Sequence, residues 1–225
     1  MLGNDSHQWL HFLAGKYPNR VGWLVAPTTP GCKKKREWLP YAFDNGAWGA
    51  FVAGEPWDEK PFFTMLDENA EDLSDAANVR DRKEYSISGE KLLPRWVAVP
   101  DVVADKEKTL EKWDQFAPRL KEFGIPLAFV AQDGMTPADV PEGAEVVFLG
   151  GSHKWKWRNA ETFCSLFPRV HIGRVNSVAK LRRAEQFGAE SVDGTGWVRA
   201  GERRDGWRGV ELFLSGEPDP QLDLF

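Results

Sequence analysis

PLAFVAQDG (126–134) and EVVFLGG (145–151) decide the fold. In each, a short apolar run breaks off into polar residues or glycine: residues 127–131 into Gln132-Asp133-Gly134, and residues 146–149 into Gly150-Gly151. Runs of this length bounded by turn formers read as buried strands. The same phrase recurs along the chain. VGWLVAP (21–27) meets TTPG, PYAF (40–43) meets Asp44-Asn45-Gly46, and RWVAVP (95–100) meets Asp101. RVHI (169–172) meets Gly173-Arg174, and AESV (189–192) meets Asp193-Gly194. GVELFL (209–214) reads as an eighth strand.

Helical stretches separate several of these runs. Residues 105–123 carry Leu110, Trp113, Phe116, Ala117 and Leu120 at three- and four-residue spacing, one apolar face of a helix. Residues 176–187 open on Asn-Ser, a cap signal, and residues 158–167 form a shorter candidate. Strand, polar turn and helix in repetition predict an α/β fold with a parallel sheet. An open doubly wound sheet gathers its ligand site at one switch point, whereas a barrel builds its site from many strand ends. Polar residues after nearly every run favour the second: a compact (β/α)8 TIM-like barrel over residues 1–215. The acidic stretch 53–92 is expected to be an insertion after the second strand, and residues 216–225 a flexible tail.

Composition fits that picture. The 225 residues are 42% hydrophobic and 28% charged, which excludes a fibrous or largely disordered chain. No stretch approaches the roughly 18 uncharged apolar residues of a membrane span, and the first residues lack the pattern of a signal peptide. A cytoplasmic location is expected, with no membrane partner. Cys32 and Cys164 cannot make a four-thiolate zinc site, and His153 and His171 have no HxH or HExxH partner, so neither a metal nor another cofactor is expected. Eleven Trp exceed what a core of this size needs, and some are expected to line a cleft. The net charge of −5 hides an acidic middle and a basic region between residues 150 and 210, where a polyanion can bind.

Three aspartates stand at strand ends: Asp44, Asp101 and Asp193. Carboxylates gathered at one barrel mouth can divide the work of nucleophile and proton shuttle when their surroundings separate their pKa values. Gln132 can donate and accept, and Gly150 and Gly151 offer backbone N–H groups unshielded by side chains. With a carboxylate, these are the parts needed to read a purine edge.

The order of these pieces resembles the tRNA-guanine transglycosylase superfamily, whose members exchange guanine for a 7-deazaguanine. HIGRVNSVAKLRRAEQFGAESVDGTG (171–196) is similar to its segment bearing the nucleophile. FDNGAWGAF (43–51) resembles its acid/base segment, and VPDVVAD (99–105), FVAQDG (129–134) and FLGGSHKW (148–155) resemble its base-reading segments. The resemblance covers about residues 20–197. It implies Asp193 as nucleophile and Asp44 as general acid/base. Asp101, Gln132, Gly150, Gly151, His171 and Gly173 become substrate-binding residues. Two departures stand out: the family's zinc site is missing, and Asn45 replaces a serine. The short chain without zinc is similar to the phage-encoded DpdA-type branch, which acts on DNA, so the expected partners are DNA and a 7-deazaguanine base. tRNA is the alternative substrate, and a non-catalytic nucleic-acid-binding barrel the alternative class.

HKWKWR (153–158) alternates cations with indoles, a pattern suited to phosphate contact and base stacking. Lys154, Trp155, Lys156 and Arg158, with Arg199, Arg203 and Arg204, are therefore expected to contact nucleic acid. The last residues, QLDLF, resemble the peptide that docks on the bacterial sliding clamp, with Gln221, Leu222, Leu224 and Phe225 as its contacts.

Overall fold

The computed structural model describes residues 7–29, 31–36, 38–74, 93–194 and 205–217. Arg199, Arg203, Arg204, residues 75–92 of the expected insertion and the clamp-like Gln221, Leu222, Leu224 and Phe225 lie outside them. The elements run α1 (His7–Lys16), β1 (Trp23–Val25), β2 (Tyr41–Phe43), α2 (Ala47–Ala53), α3 (Glu59–Ser74), β3 (Val97–Ala98), α4 (Lys106–Lys121), β4 (Leu127–Ala131), β5 (Val146–Leu149), α5 (His153–Leu166), β6 (Val170–Ile172), α6 (Val178–Gln186), β7 (Ser191–Val192) and α7 (Asp205–Ser215). The seven strands form one parallel sheet in the order of the chain.

Strict sequential order keeps the crossovers on one side, so the sheet curls. Adjacent strands lie about 4.8 Å apart, so a flat sheet would hold β3 and β6 about 14 Å from each other. Instead the Trp96 ring, just before β3, lies 4.7 Å from the His171 ring on β6. At the N-terminal end of the strands, Arg95 beside β3 reaches Glu190 beside β7 at 3.2 Å, and Arg169 joins the same glutamate at 2.8 Å. The concave side holds a small core of Ala42, Trp96, Ala98, Ala128, Val130, Val146 and Phe148. The larger core lies between the convex side and the helices.

Two expectations are corrected. GVELFL is no strand: it lies in α7, where Val210 and Leu214 are buried four residues apart, the spacing of a helix face. α7 is clipped to α1 and its loop by the Lys16–Glu211 ion pair and by the Arg20 guanidinium donating to the Leu214 carbonyl at 2.7 Å. It also packs against α6, so the helical layer closes although β1 and β7 remain the sheet edges. The described part of the acidic stretch is no outlying insertion either. α3 buries Phe62, Phe63, Met65 and Leu66 in the main core, with Phe63 6.1 Å from Phe116 of α4. It is the β2–β3 crossover helix. α4, α5 and α6 open on the side-chain caps Asp105, Ser152 and Ser177; α5 starts five residues before the expected 158–167, and α1 and α2 were not anticipated. Among the described residues, no helix is long and apolar enough to cross a membrane.

Candidate functional site

The C-terminal ends of the strands converge on one pocket. Asp44, Asn45 and Trp48 line it from β2 and α2, Asp101 from β3, Gln132 from β4, and Gly150 from β5. Gly173 and Arg174 come from β6 and Asp193 from β7. Leu24, Val130 and Phe148 add apolar wall. The three aspartates named from the sequence therefore share one cavity.

Their environments differ. Burial, reinforced by the charges of Asp193 and Asp101, pushes Asp44 up to about 7. Burial also raises Asp101 to about 6, although Asn45, Gln132 and Arg174 pull it down. Asp193 moves the other way. Burial works against its charge, but the His171 hydrogen bond, the Lys156 charge and the Arg174 N–H hold its carboxyl below the usual range.

Asp101 is fixed from both sides. Asn45 Nδ2 donates to its Oδ1 at 2.8 Å, and Gln132 Nε2 donates to its Oδ2 at 2.7 Å. Gln132 Oε1 in turn accepts from the Ala104 N–H at 3.0 Å. Both ends of the Gln132 amide are thus engaged, and one of its two N–H donors is given to orienting Asp101. Asn45 was not singled out as a site residue. Its signal lay in the departure from serine at that position: the longer amide reaches the Val99 carbonyl, Asp101 and the Ala47 N–H together.

The glycine pair plays another part than expected. Both N–H groups donate to the Ala131 carbonyl, at 3.0 and 3.2 Å, so neither is free to meet a base. Gly150 is required instead by close approach, because a Cβ there would lie 2.8 Å from Gln132 Nε2 and 2.7 Å from Val130. Arg174 is the cation of the pocket. Its Nη2 bridges the Gly150 and Gly151 carbonyls at 2.6 and 2.5 Å, its backbone N–H donates to Asp193 Oδ1 at 3.1 Å, and its guanidinium lies 3.9 Å from the centre of the Trp48 ring. Its place directly after RVHI-Gly was its sequence signal. Trp48 is 44% exposed and is the indole that lines the pocket.

Two further expectations change. His171 is fully buried, with Nδ1 2.8 Å from Ser191 Oγ and Nε2 3.0 Å from Asp193 Oδ1, so it supports Asp193 rather than contacting a ligand. Lys156 does not face solvent. Its Nζ donates to the Gly173 carbonyl under the pocket, and burial, with Arg174 nearby, lowers its pKa to about 8. In an α-helix alternate residues do not share a face, so HKWKWR divides. Lys154 and Arg158, one turn apart and exposed, flank a surface cavity with Trp155, Asp133 and Ser152, while Lys156 and Trp157 turn into the core.

No family model and no curated protein matches the chain. Among solved structures, it is similar to a chain of the tryptophan synthase complex from Pyrococcus furiosus, at 14% identity and TM-score 0.43. That match covers 80% of this chain and 64% of the other, so this chain spans less than two thirds of that neighbour's length. It is also similar to the YdjI aldolase from Escherichia coli K12, at 15% identity and TM-score 0.35, over 95% of this chain and 93% of that one. At these scores the likenesses add nothing to the reading of the site. Among the described residues, no group of three or more His, Cys, Asp or Glu side chains is arranged to hold a metal ion.

Proposed function

We propose that the chain is a DNA guanine transglycosylase that exchanges guanine for a 7-deazaguanine through a covalent bond between Asp193 and the sugar. We also read the curled sheet as a barrel of TIM type, with α7 in the ring position of its last unit. One observation carries the functional reading: Asp44 and Asp193 line one pocket with their pKa values displaced in opposite directions. Such a separation assigns acid and nucleophile.

In the first half-reaction a lone pair of the ionised Asp193 carboxylate forms a bond to C1′. The C1′–N9 bond breaks, its electrons pass to the base, and the Asp44 proton neutralises the departing guanine. In the second half the incoming base gives its proton to Asp44, and its nitrogen displaces Asp193 from C1′. An ionised carboxylate offers about four acceptor sites. Asn45 and Gln132 use two on Asp101, which leaves two for the N1–H and 2-amino group shared by guanine and its 7-deaza analogues. Arg174 supplies the donor toward O6 that the Gly150 and Gly151 amides do not. The target nucleotide must leave the stack, at a cost of a few kcal/mol, and Trp48 gives the extruded base a flat surface. A non-catalytic barrel has no need of two carboxyls tuned apart in one cavity. DNA rather than tRNA as substrate rests on the resemblance to the DpdA-type branch.

The test is incubation of the protein with duplex DNA, with tRNA and with a 7-deazaguanine base, followed by nucleoside mass spectrometry. Exchange into DNA is expected from the wild type, together with a trappable protein–DNA adduct. Asp193→Asn should form neither while remaining folded, as circular dichroism checks. Full turnover by Asp193→Asn removes the assignment.

A further inference from the structure

His171 is a buried titratable group that the exchange does not use as acid or base. Its ring is sleeved by Trp96 and Phe148, with centroids 4.7 and 4.5 Å away. Both of its nitrogens are engaged, Nδ1 with Ser191 and Nε2 with Asp193. A neutral imidazole has one donor and one acceptor. Burial holds His171 below its usual pKa despite the pull of Asp193 from β7, with Lys156 of α5 acting in the same direction as burial. Beside an ionised carboxylate the proton of the neutral ring belongs on Nε2. Nδ1 is then the acceptor, and the Ser191 hydroxyl its donor. Ser191 and Asp193 stand two residues apart at the end of β7 and so face one side, which brings a hydroxyl and a carboxylate to the two ends of one ring.

The carboxylate is gripped unevenly. Among the described residues, both hydrogen bonds that reach it fall on Oδ1, from His171 Nε2 at 3.0 Å and from the Arg174 N–H at 3.1 Å. Gly173 is required here by the close approach of Phe148, whose ring a Cβ would meet at 2.5 Å, and that Cβ would also stand 3.3 Å from the same oxygen. We propose that Ser191 and His171 are positioning residues for Asp193: the Ser191 hydroxyl fixes the Nε2–H tautomer of His171, and that N–H with the Arg174 N–H pins Oδ1, so that Oδ2 is the oxygen that attacks C1′. This rests on the transglycosylase reading for the identity of the attack, but not for the tautomer or the grip. A Ser191→Ala ring can turn to the Nδ1–H form, which points a bare nitrogen at Oδ1 and loosens the carboxylate, much as a lost orienting group misplaces the histidine of a catalytic triad.

Long-range 1H–15N spectra of the full chain at pH 7, with exchange kinetics on duplex DNA, test this. Wild type should show His171 as Nε2–H only. Ser191→Ala should lose that signature and lower kcat about ten- to a hundredfold, the scale of one hydrogen bond to a charged group, with KM for DNA and base unchanged. Ser191→Thr, which keeps the hydroxyl, should restore both. A wild-type Nδ1–H or doubly protonated ring overturns the inference, as does Ser191→Ala turning over at the wild-type kcat. If the wild type exchanges no base, the transglycosylase reading alone fails, and the grip is read from the carboxyl-carbon titration of Asp193. Its pKa must then rise in Ser191→Ala, and an unmoved value overturns the inference.

Discussion

The guanidinium of Arg174 lies 3.9 Å from the centre of the Trp48 ring, and this contact ties the end of β6 to the start of α2 across the mouth of the pocket. The same side chain bridges the Gly150 and Gly151 carbonyls. One residue therefore holds together the strand-end loops of β2, β5 and β6.

Arg174→Ala should lower stability by roughly 1–3 kcal/mol, the scale of a hydrogen bond to a charged group with a cation–π contact beside it, and weaken base binding. Arg174→Lys keeps the charge but not the planar fork, and should fall between the two. Urea midpoints for the three proteins measure this; equal midpoints would show that the bridge contributes nothing.

Asp44 sets a pH dependence with a definite sign. Its folded pKa of about 7 lies above the ordinary value of 3.8, so the folded state binds this proton more tightly than the unfolded chain. The stability this provides is complete below about pH 4 and is lost as pH rises through about 7. Asp44→Asn should therefore be more stable than the wild type at pH 8, by roughly 1–3 kcal/mol, and show no such gain at pH 4. It should also release no base. In the wild type, single-turnover base release should slow as pH rises through about 7, because the acid form is consumed. Denaturation and burst kinetics at pH 5 and pH 8 measure the two effects separately.

Asn45→Ala removes donors from Asp101 and from the Val99 carbonyl. A buried group left without its partner costs about 1–3 kcal/mol, and calorimetry should find guanine binding weakened about tenfold or more. Binding as tight as the wild type's would mean that Asp101 needs no support from β2.

The split helix face makes a paired prediction. Joint replacement of Lys154 and Arg158 by Ala should flatten the slope of log K against log salt for duplex DNA by roughly two units. Lys156→Met should leave that slope unchanged, because its ammonium lies under the pocket. A slope altered by Lys156→Met and not by the double variant would reverse the assignment of faces.

The strands and the three aspartates were legible because the apolar runs break off into polar residues or glycine, and parallel strands bring those ends to one side. His171 was legible in part. In RVHI a two-residue period sends Val170 and Ile172 to the helix-facing core and the histidine inward, but its partner Ser191 lies in another strand, and only the register between β6 and β7 joins them. The alternating cations of residues 153–158 misled because alternation describes a strand, and the segment is a helix capped by Ser152. GVELFL misled for the converse reason: its apolar residues fit either period, and only contact with α1 and α6 decides. The backbone partners of Gly150 and Gly151 were beyond reach, since nothing local indicates that a carbonyl from β4 takes both N–H groups.

Trp96 gives the pocket a floor. With Ala42, Ala98 and Ala128 it packs inside the curl, fully buried, 5.6 Å from the ring of Phe148, which lines the pocket, so the space behind Phe148 is filled by side chains. Under the proposed chemistry the outgoing and incoming bases present the same edge to Asp101 and so take turns in that one pocket. Guanine has to depart before its replacement can enter, so the exchange should follow ping-pong kinetics, with free guanine competing directly against the 7-deaza base.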